Sequence, residues 1–411
     1  MPTQPPLPIV IIGGGAAGFF GAIRIKALLP QATVIILEKN QQLLTKVRIS
    51  GGGRCNVTHA CFTASELVQN YPRGGKELRS AFNRFSPKET MDWFQSRNIP
   101  LKIEEDGRIF PVSDSSQSII DCFLKEASNL GVEIRTGCTV SGVERIQESE
   151  NFILHLTNQE SIHCSRLLVA SGSNHQVYDW LALLGHTIMP PIPSLFTFNV
   201  PTSPLLDLSG VAIENAQLSI VGLKQTGPLL LTHFGFSGPA VLKLSAWGAE
   251  KLHHCHYKTV LEINWLPKLS YTALQKSLSD CRYTHAQKLM TNHCPFSLSK
   301  NLWKKFLLLS GIDQEMRFSA LSNKQIEALV QKLHANTYQI DGKTTYKQEF
   351  VTCGGVHLPE VNFKTMESRL IPGLHFAGEV LNIDGITGGF NFQNAWTTSW
   401  IAAEAISESC R

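Results

Sequence analysis

The chain has 411 residues, enough for two or three domains around a large core. Its 43% hydrophobic and 17% charged residues match an ordinary folded enzyme and exclude a long disordered chain. A net charge of +4 gives no argument by itself for nucleic acid or a membrane as partner.

The N-terminus reads apolar from Leu7 to Phe20, but it lacks a basic leader and its glycines fall on a motif. Ile9 to Ile12 form a short apolar strand, and Gly13, Gly15 and Gly18 complete a G-x-G-x-x-G turn. Ala22 to Leu29 continue as a helix, and Thr33 to Leu37 form a second strand ending in Glu38, 20 residues beyond Gly18. This is the full βαβ context of a dinucleotide site. Gly13 permits the tight turn, Gly15 lets backbone N–H groups approach a pyrophosphate, and Gly18 lets helix and strand pack closely. Gly14 and Ala17 complete the turn, Glu38 is the expected ribose acceptor, and Lys39 follows it. The helix N-terminus turns its positive dipole end toward the phosphates.

Residues 43–60, LLTKVRISGGGRCNVTHA, read as a Gly-rich loop with interleaved cations. Gly52, Gly53, Arg54, Cys55 and Asn56 offer a concave backbone with a cation, suited to a pyrophosphate, and Lys46 adds a donor upstream. Ser86 to Glu89 is a capping box with Pro87 at the first helical position, so a helix runs to about Arg97. Ile119 to Leu130 is an amphipathic helix stopped by Gly131. Three strands follow, Glu133–Thr136, Val143–Gln147 and Phe152–Thr157, as a meander. Arg166 to Gly172 reads as a buried parallel strand whose small-residue turn holds Ala170 and Gly172.

At residues 189–194, MPPIPS, the pattern changes. Residues 191–267 show alternating strands, as expected of a β-barrel or sandwich lobe, and 268–347 are mainly helical. From Trp265 to Ala335 there are ten Lys or Arg against four Asp or Glu, a net +6, read first as solvated helix faces. The α/β pattern returns at about Gln348. In FAGEVLNIDGITGGFNFQNA a strand ends at Gly378 and Glu379, Asp384 follows, and Gly389, Phe390 and Asn391 lead into a long helix. Such a glycine turn suits a ribityl chain, and a helix start there favours the negative charge of a reduced flavin. With the N-terminal motif, this points to FAD.

Cys55 and Cys61 are spaced C-x5-C, one residue longer than the usual redox pair of flavin disulfide reductases. No second nicotinamide motif follows, so Cys55 reads as a packed residue beside the cofactor. The ten cysteines are otherwise scattered without C-x-x-C, as expected of reduced thiols in a cytoplasmic protein. His253 to His256, HHCH, reads as a solvated strand end rather than a metal site. His233, with Phe234 and Phe236 beside it, sits in a glycine-punctuated turn and is the candidate substrate wall.

The blocks IIGGGAAG, SGGGRCNVT, EEDGRIFPVSDSSQSI, LLTHFGFSGPAVLKLS, TCGGV, TMESR and GLHFAGEVLNIDGITGGFNFQNAW carry a resemblance along essentially the whole chain. It resembles the bacterial BaiN-like (YhiN-type) FAD-dependent oxidoreductases. The resemblance implies an FAD site built on Glu38, Lys46, the Arg54 loop, Val140 (backbone to adenine), Ala170, Glu379 and Gly389–Asn391. It also implies reduction of ring double bonds such as those of oxidised bile-acid intermediates. The chain departs from the family's pattern at ASGSNHQVYDWLALLGH, where the segment 173–180 is rebuilt, and at Thr45 and Phe390. The last change removes a tyrosine hydroxyl.

The fold expected is thus α/β, a two-dinucleotide-binding-domain flavoprotein. Residues 1–190 and 348–411 form a discontinuous Rossmann-like FAD domain, with inserted lobes at 191–267 and 268–347. The function expected is hydride transfer between NAD(P)H, flavin N5 and a small ring-containing or conjugated substrate. An FAD-dependent amine or amino-acid oxidase, an RNA-modifying flavoprotein and a flavin-binding module without turnover are the alternatives. No residue stands out as the catalytic acid, and no motif specifies the oligomeric state.

Overall fold

The computed structural model describes residues 6–146, 150–344 and 351–411. Two sequence expectations, the strand end at Gln147 and the boundary at 347–348, lie outside the described residues. The chain divides into two compact units, Met1–Pro193 with Lys347–Arg411, and Ser194–Tyr346.

In the first unit, strand β1 (Ile9–Ile12) is apolar throughout and all its side chains are buried, as a central parallel strand requires. Helix α1 (Ala16–Leu28) returns the chain to β2 (Val34–Glu38), which pairs in parallel with Ile9 opposite Val34 and Ile12 opposite Leu37. Strand β3 (Glu133–Thr136) adds outside β2. Strands β4 (Arg166–Val169) and β5 (Leu374–Phe376) add on the other flank of β1. The parallel order is therefore β3-β2-β1-β4-β5, with two short antiparallel strands beyond β5. The order reverses around β1, so the crevice at its carboxyl end is a topological switch point, where open α/β sheets bind ligands.

The closing helix α2 (Phe390–Ser409) packs on α1, and a Cβ on Gly21 would stand only 2.7 Å from Ser399 Oγ. Beneath them Phe20 meets Phe85, Trp93 and Trp396 at ring separations of 5.5, 4.7 and 5.3 Å. The segment read as a Gly-rich loop and the rebuilt segment after Gly172 both contain helix. Residues Thr45–Gly53 start helically and break at Ser50 to Gly52. His175–Leu183 is a helix because Asn174 caps it, accepting from Gln176 N–H at 3.2 Å, while Val177, Tyr178, Trp180 and Leu181 turn inward.

The second unit is an antiparallel sheet that closes on itself. Asn336–Asp341 pairs with Lys258–Asn264, and after Gly342 the same run pairs as Lys343–Thr344 with Thr197–Asn199. Phe236 lies inside, its ring 4.9 Å from Tyr338 and 6.4 Å from Trp265. Trp265 in turn meets Phe306 of helix Lys300–Leu309 at 5.3 Å. The strands expected at 191–267 and the helices expected at 268–347 therefore share one core. His253 and His254 end a helix, Ala249–His254, instead of a strand, because the chain must reverse there into Lys258–Asn264. Among the described residues no cluster of His, Cys, Asp or Glu is arranged to hold a metal, and no helix is long and apolar enough to cross a membrane.

Phe236→Ala should lower the stability of the second unit by about 3–5 kcal/mol, since it empties a core position. A urea unfolding midpoint unchanged from wild type would contradict that placement.

Candidate functional site

The switch point is made by backbone touching backbone. Gly13 has φ +116, and a Cβ there would lie 2.4 Å from the Ala170 carbonyl oxygen. A Cβ on Gly18 would lie 1.9 Å from the Gly13 carbonyl oxygen. Gly15 differs. Its backbone is extended, at φ −97 and ψ −167, and the space its Cβ would take is open. No side chain caps α1 at Gly15, so the first-turn N–H groups lack the side-chain acceptor that most helix starts supply. An uncapped helix start beside open space fits an anion such as a pyrophosphate.

Glu38 ends β2 and holds this turn: its Oε2 accepts from Gly14 N–H at 2.7 Å. Its Oε1 accepts from the Asn40 backbone and side-chain N–H groups, each at 2.9 Å. A lone pair remains on Oε2 for a hydroxyl donor. Lys39 is exposed beside it. The Cys138 N–H donates to the Glu38 carbonyl at 2.9 Å, which carries the start of the next strand, at the buried Val140, toward the end of β2.

The C-terminal segment arrives at the same edge. Ala377 N–H donates to the Val169 carbonyl at 3.0 Å, and Gly378 turns at φ +75 against Ala17, whose Cβ would be 3.2 Å from a Cβ on Gly378. Glu379 pairs with Lys46, and its Oε2 would lie 3.8 Å from a Cβ on Gly172. Tyr178, from the rebuilt segment, donates to the Glu379 carbonyl at 3.3 Å. Residues from both ends of the chain thus meet within one cradle.

The loop after Lys46 forms its third wall. Gly51, Gly52, Gly53 and Cys55 have φ of +58, +68, +85 and +62, with Arg54 between them in the right-handed region. Successive left-handed residues turn N–H groups to one side, and Gly52 and Gly53 have open space where a Cβ would be. Arg54 itself is engaged elsewhere. Its guanidinium lies 3.9 Å from the Phe110 ring centre and pairs with Glu104 at 2.7 Å and Asp114 at 3.5 Å. The hydrogen bond from Arg54 to Glu104 is the main reason its proton is held more tightly than usual. Two carboxylates thus occupy the cation that the sequence suggested for a phosphate.

Cys55 is buried, and desolvation pushes its thiol up to about 12. A thiol so placed stays protonated at neutral pH and is a poor redox nucleophile. Asn56, with its amide turned to donate to the Thr58 and Ile109 carbonyls at 2.9 and 3.2 Å, accepts from Gly389 N–H at 3.0 Å. A Cβ on Gly389 would lie 2.6 Å from the Thr58 carbonyl, so this close approach requires glycine, which also supplies φ +93. No side chain caps the first turn of α2 beyond it. Phe390 stacks on His59 at 4.8 Å, and Tyr71 donates to the Phe390 carbonyl at 2.6 Å. Asn391 clamps Gly385 through both its carbonyl and its N–H, at 2.8 and 2.9 Å.

Asp384 is fully buried and forms a two-pronged ion pair with Arg73. Its position therefore reads as an anchor for the C-terminal turn. Arg73, Tyr71 and Tyr178 have no motif around them; only the demand that buried polar groups be partnered could have pointed to them. Of the residues proposed as a substrate wall, His233 is exposed at a hairpin tip with Nδ1 3.3 Å from Ser209 Oγ. Phe234 is half-buried there, whereas Phe236 points into the core of the second unit, where packing leaves it no free face.

The fold is that of the two-dinucleotide-binding-domain flavoproteins, an FAD-type oxidoreductase architecture. The chain belongs to the HI0933-like protein Rossmann domain family, whose pattern matches residues 7–405. It is 29% identical to the 3-dehydro-bile acid delta(4,6)-reductase of Clostridium scindens, over 97% of this chain and 99% of that one. It is 30% identical to the ribosomal RNA dihydrouridine synthase of Escherichia coli, over 97% of each. Among solved structures, the open conformation of a flavocytochrome c3 fumarate reductase superposes with a TM-score of 0.50 at 13% identity. That match covers 99% of this chain and 79% of the other, and it shows the shared fold.

Gly15→Val should fold with near-native stability yet purify without flavin colour, because its side chain fills ligand space and no protein contact. Gly13→Val, which clashes with Ala170, should lose stability as well; equal behaviour of the two variants would contradict the open cradle. Thiol reagents should label the exposed Cys410 in the native protein and leave Cys55 unreacted, and Cys55→Ser should keep flavin reduction within about tenfold, roughly 1.4 kcal/mol. Rapid labelling of Cys55, or loss of reduction with flavin still bound, would contradict a packing role.

Proposed function

We propose that the crevice binds FAD and that the chain reduces a ring carbon–carbon double bond conjugated to a carbonyl group. The observation that carries this reading is the meeting of Ala17 and Gly378, which joins the phosphate turn to the C-terminal glycine segment. In this reading the backbone of Gly13 to Gly15 and the start of α1 hold the pyrophosphate. Glu38 accepts from the ribose hydroxyl, and the Val140 backbone meets the adenine. Gly52, Gly53 and Asn56 line the flavin edge, and Lys46 and Glu379 form a charged pair beside it. Gly389 to Asn391 would hold the flavin at the start of α2, whose dipole would favour negative charge there by about 0.3–1 kcal/mol. Bound there, FAD would supply hydride-transfer chemistry, with NAD(P)H as the reductant. With hydride and one proton added, the double bond becomes a single bond and NAD(P)H becomes NAD(P)⁺.

The names of the two curated relatives describe one chemistry. A delta(4,6)-reductase of a 3-oxo ring system and a dihydrouridine synthase both saturate a ring C=C conjugated to a carbonyl, the latter at C5–C6 of uracil. A small conjugated ring ketone is the first substrate class. A uracil base within RNA is the second, and the net +6 between Trp265 and Ala335 favours it.

Anaerobic stopped-flow reduction by NADH and NADPH, then reoxidation by a 3-oxo-4,6-diene steroid, a uridine-containing RNA and O₂, tests the reading. Bleaching by a nicotinamide, followed by reoxidation that one ring substrate accelerates at least about tenfold over buffer, is the expected result, a barrier difference of about 1.4 kcal/mol. Reoxidation by O₂ alone would turn the reading to an oxidase.

A further inference from the structure

The second unit carries a cluster of cations and rings. Helix Tyr271–Thr284 ends at His285, and the chain then passes through the exposed Lys288. Arg317 comes alongside from a separate segment: its guanidinium donates to the Gln287 carbonyl, and the next residue's N–H donates to the Lys288 carbonyl at 3.2 Å. Arg282, one turn back, reaches Asn323 Oδ1 at 2.6 Å. The His285 and His293 rings stand 4.1 Å apart. Protonation of His293 is disfavoured first by partial burial and then by Lys288 and His285, which shows how close these cations lie.

Among the described residues, no carboxylate forms an ion pair with Arg282, Lys288 or Arg317, although Asp280, Asp313 and Glu315 lie nearby in sequence. Beside the cluster Tyr283 is 83% exposed, the most exposed large aromatic ring among the described residues. Cations gathered without counter-charges cost the fold, and an exposed ring gains nothing from it. A ligand with closely spaced negative charges and flat apolar faces would offset both. Single-stranded or loop RNA has that chemistry: phosphates for the cations and unpaired bases to stack on tyrosine.

We infer that the C-terminal end of helix Tyr271–Thr284 is an RNA-docking surface, with Lys288, Arg317 and Arg282 on phosphates and Tyr283 under an unpaired base. The inference rests on the RNA reading above and deepens it, by naming the residues of the second unit that hold the polynucleotide.

The test is fluorescence anisotropy of a labelled uridine-rich RNA hairpin with the FAD-loaded full chain, across a salt series. Wild type should bind with a steep dependence of log affinity on log salt. The double variant Lys288→Gln, Arg317→Gln should bind at least about tenfold more weakly, with the slope reduced by about 0.7 for each phosphate left without its cation. Tyr283→Ala should weaken binding by about tenfold with the slope unchanged, as removal of a stacking platform predicts. FAD content and reoxidation by a small conjugated ketone should stay at wild-type values in every variant, which separates docking from folding and from the flavin chemistry. RNA binding by the variants equal to wild type would overturn the surface. Absence of RNA binding by wild type, with ketone reduction intact, would overturn it and leave the reductase reading standing. Variant-sensitive binding to anionic lipid vesicles without RNA binding would assign the cluster to a membrane surface and overturn it too.

Discussion

The close approach of Gly13 to the Ala170 carbonyl is the constraint on which the first unit depends. The ends of β1 and β4 converge there, and no side chain fits between them. The same glycine receives Gly18, so α1 is pressed onto β1 with its first turn facing the crevice. Each glycine costs about 0.5–1 kcal/mol of chain entropy relative to alanine. What is gained is a helix start without a side-chain cap beside open space. That arrangement is unfavourable for a protein alone and favourable for one that holds an anion.

A cofactor domain assembled from two ends of a chain also needs ties between them, and their surroundings rank those ties. Lys46 is half-exposed, so its pair with Glu379 contributes about 0–1 kcal/mol, enough to position the two groups and little more. Asp384 is fully buried and Arg73 mostly so, and breaking such a pair costs about 3–5 kcal/mol because the Asp384 charge is left desolvated. Between these extremes lies a buried neutral network: Gln393 Oε1 accepts from Thr58 at 2.6 Å and Thr90 at 3.0 Å, and Trp396 donates to the Val57 carbonyl at 2.9 Å. It joins α2 both to the segment that follows the glycine loop and to the helix that begins at Pro87. The C-terminal turn is thus held by ties of graded strength, the most buried of them to Arg73.

Local signals in the sequence translated directly into structure. The βαβ unit, the Ser86 capping box, the Gly131 helix stop and the alternating strands after residue 196 each depend on neighbours in sequence, and each formed. Partners remote in sequence were not legible. Nothing around Arg54 shows that Glu104 and Asp114 will neutralise it, and nothing around Asp384 names Arg73. Phe236 illustrates the same limit. Its turn suggested an open wall, but the closure of the sheet through Gly342 puts the interior on that side. Gly235–Ser237 is too short to show an alternation of its own, so its inner face is fixed by the sheet it joins.

The proposed reduction of a double bond needs a proton as well as a hydride, and the polar groups around Phe390, Glu379 and Cys55 bear on its source. Phe390 has no hydroxyl, and the neighbouring Tyr71 spends its O–H on the Phe390 carbonyl while burial raises its pKa well above the usual tyrosine value. Tyr178 is likewise committed to the Glu379 carbonyl, and burial raises its pKa too. The Cys55 thiol is held protonated by desolvation, and release of its proton is correspondingly opposed. The two tyrosines are donors already used to fix backbone, and each would leave an unsatisfied buried carbonyl or charge if it gave up its proton. This end of the site therefore orients and holds. In the proposed reduction the proton would come from a group that faces the substrate, and not from the turns that would hold the cofactor.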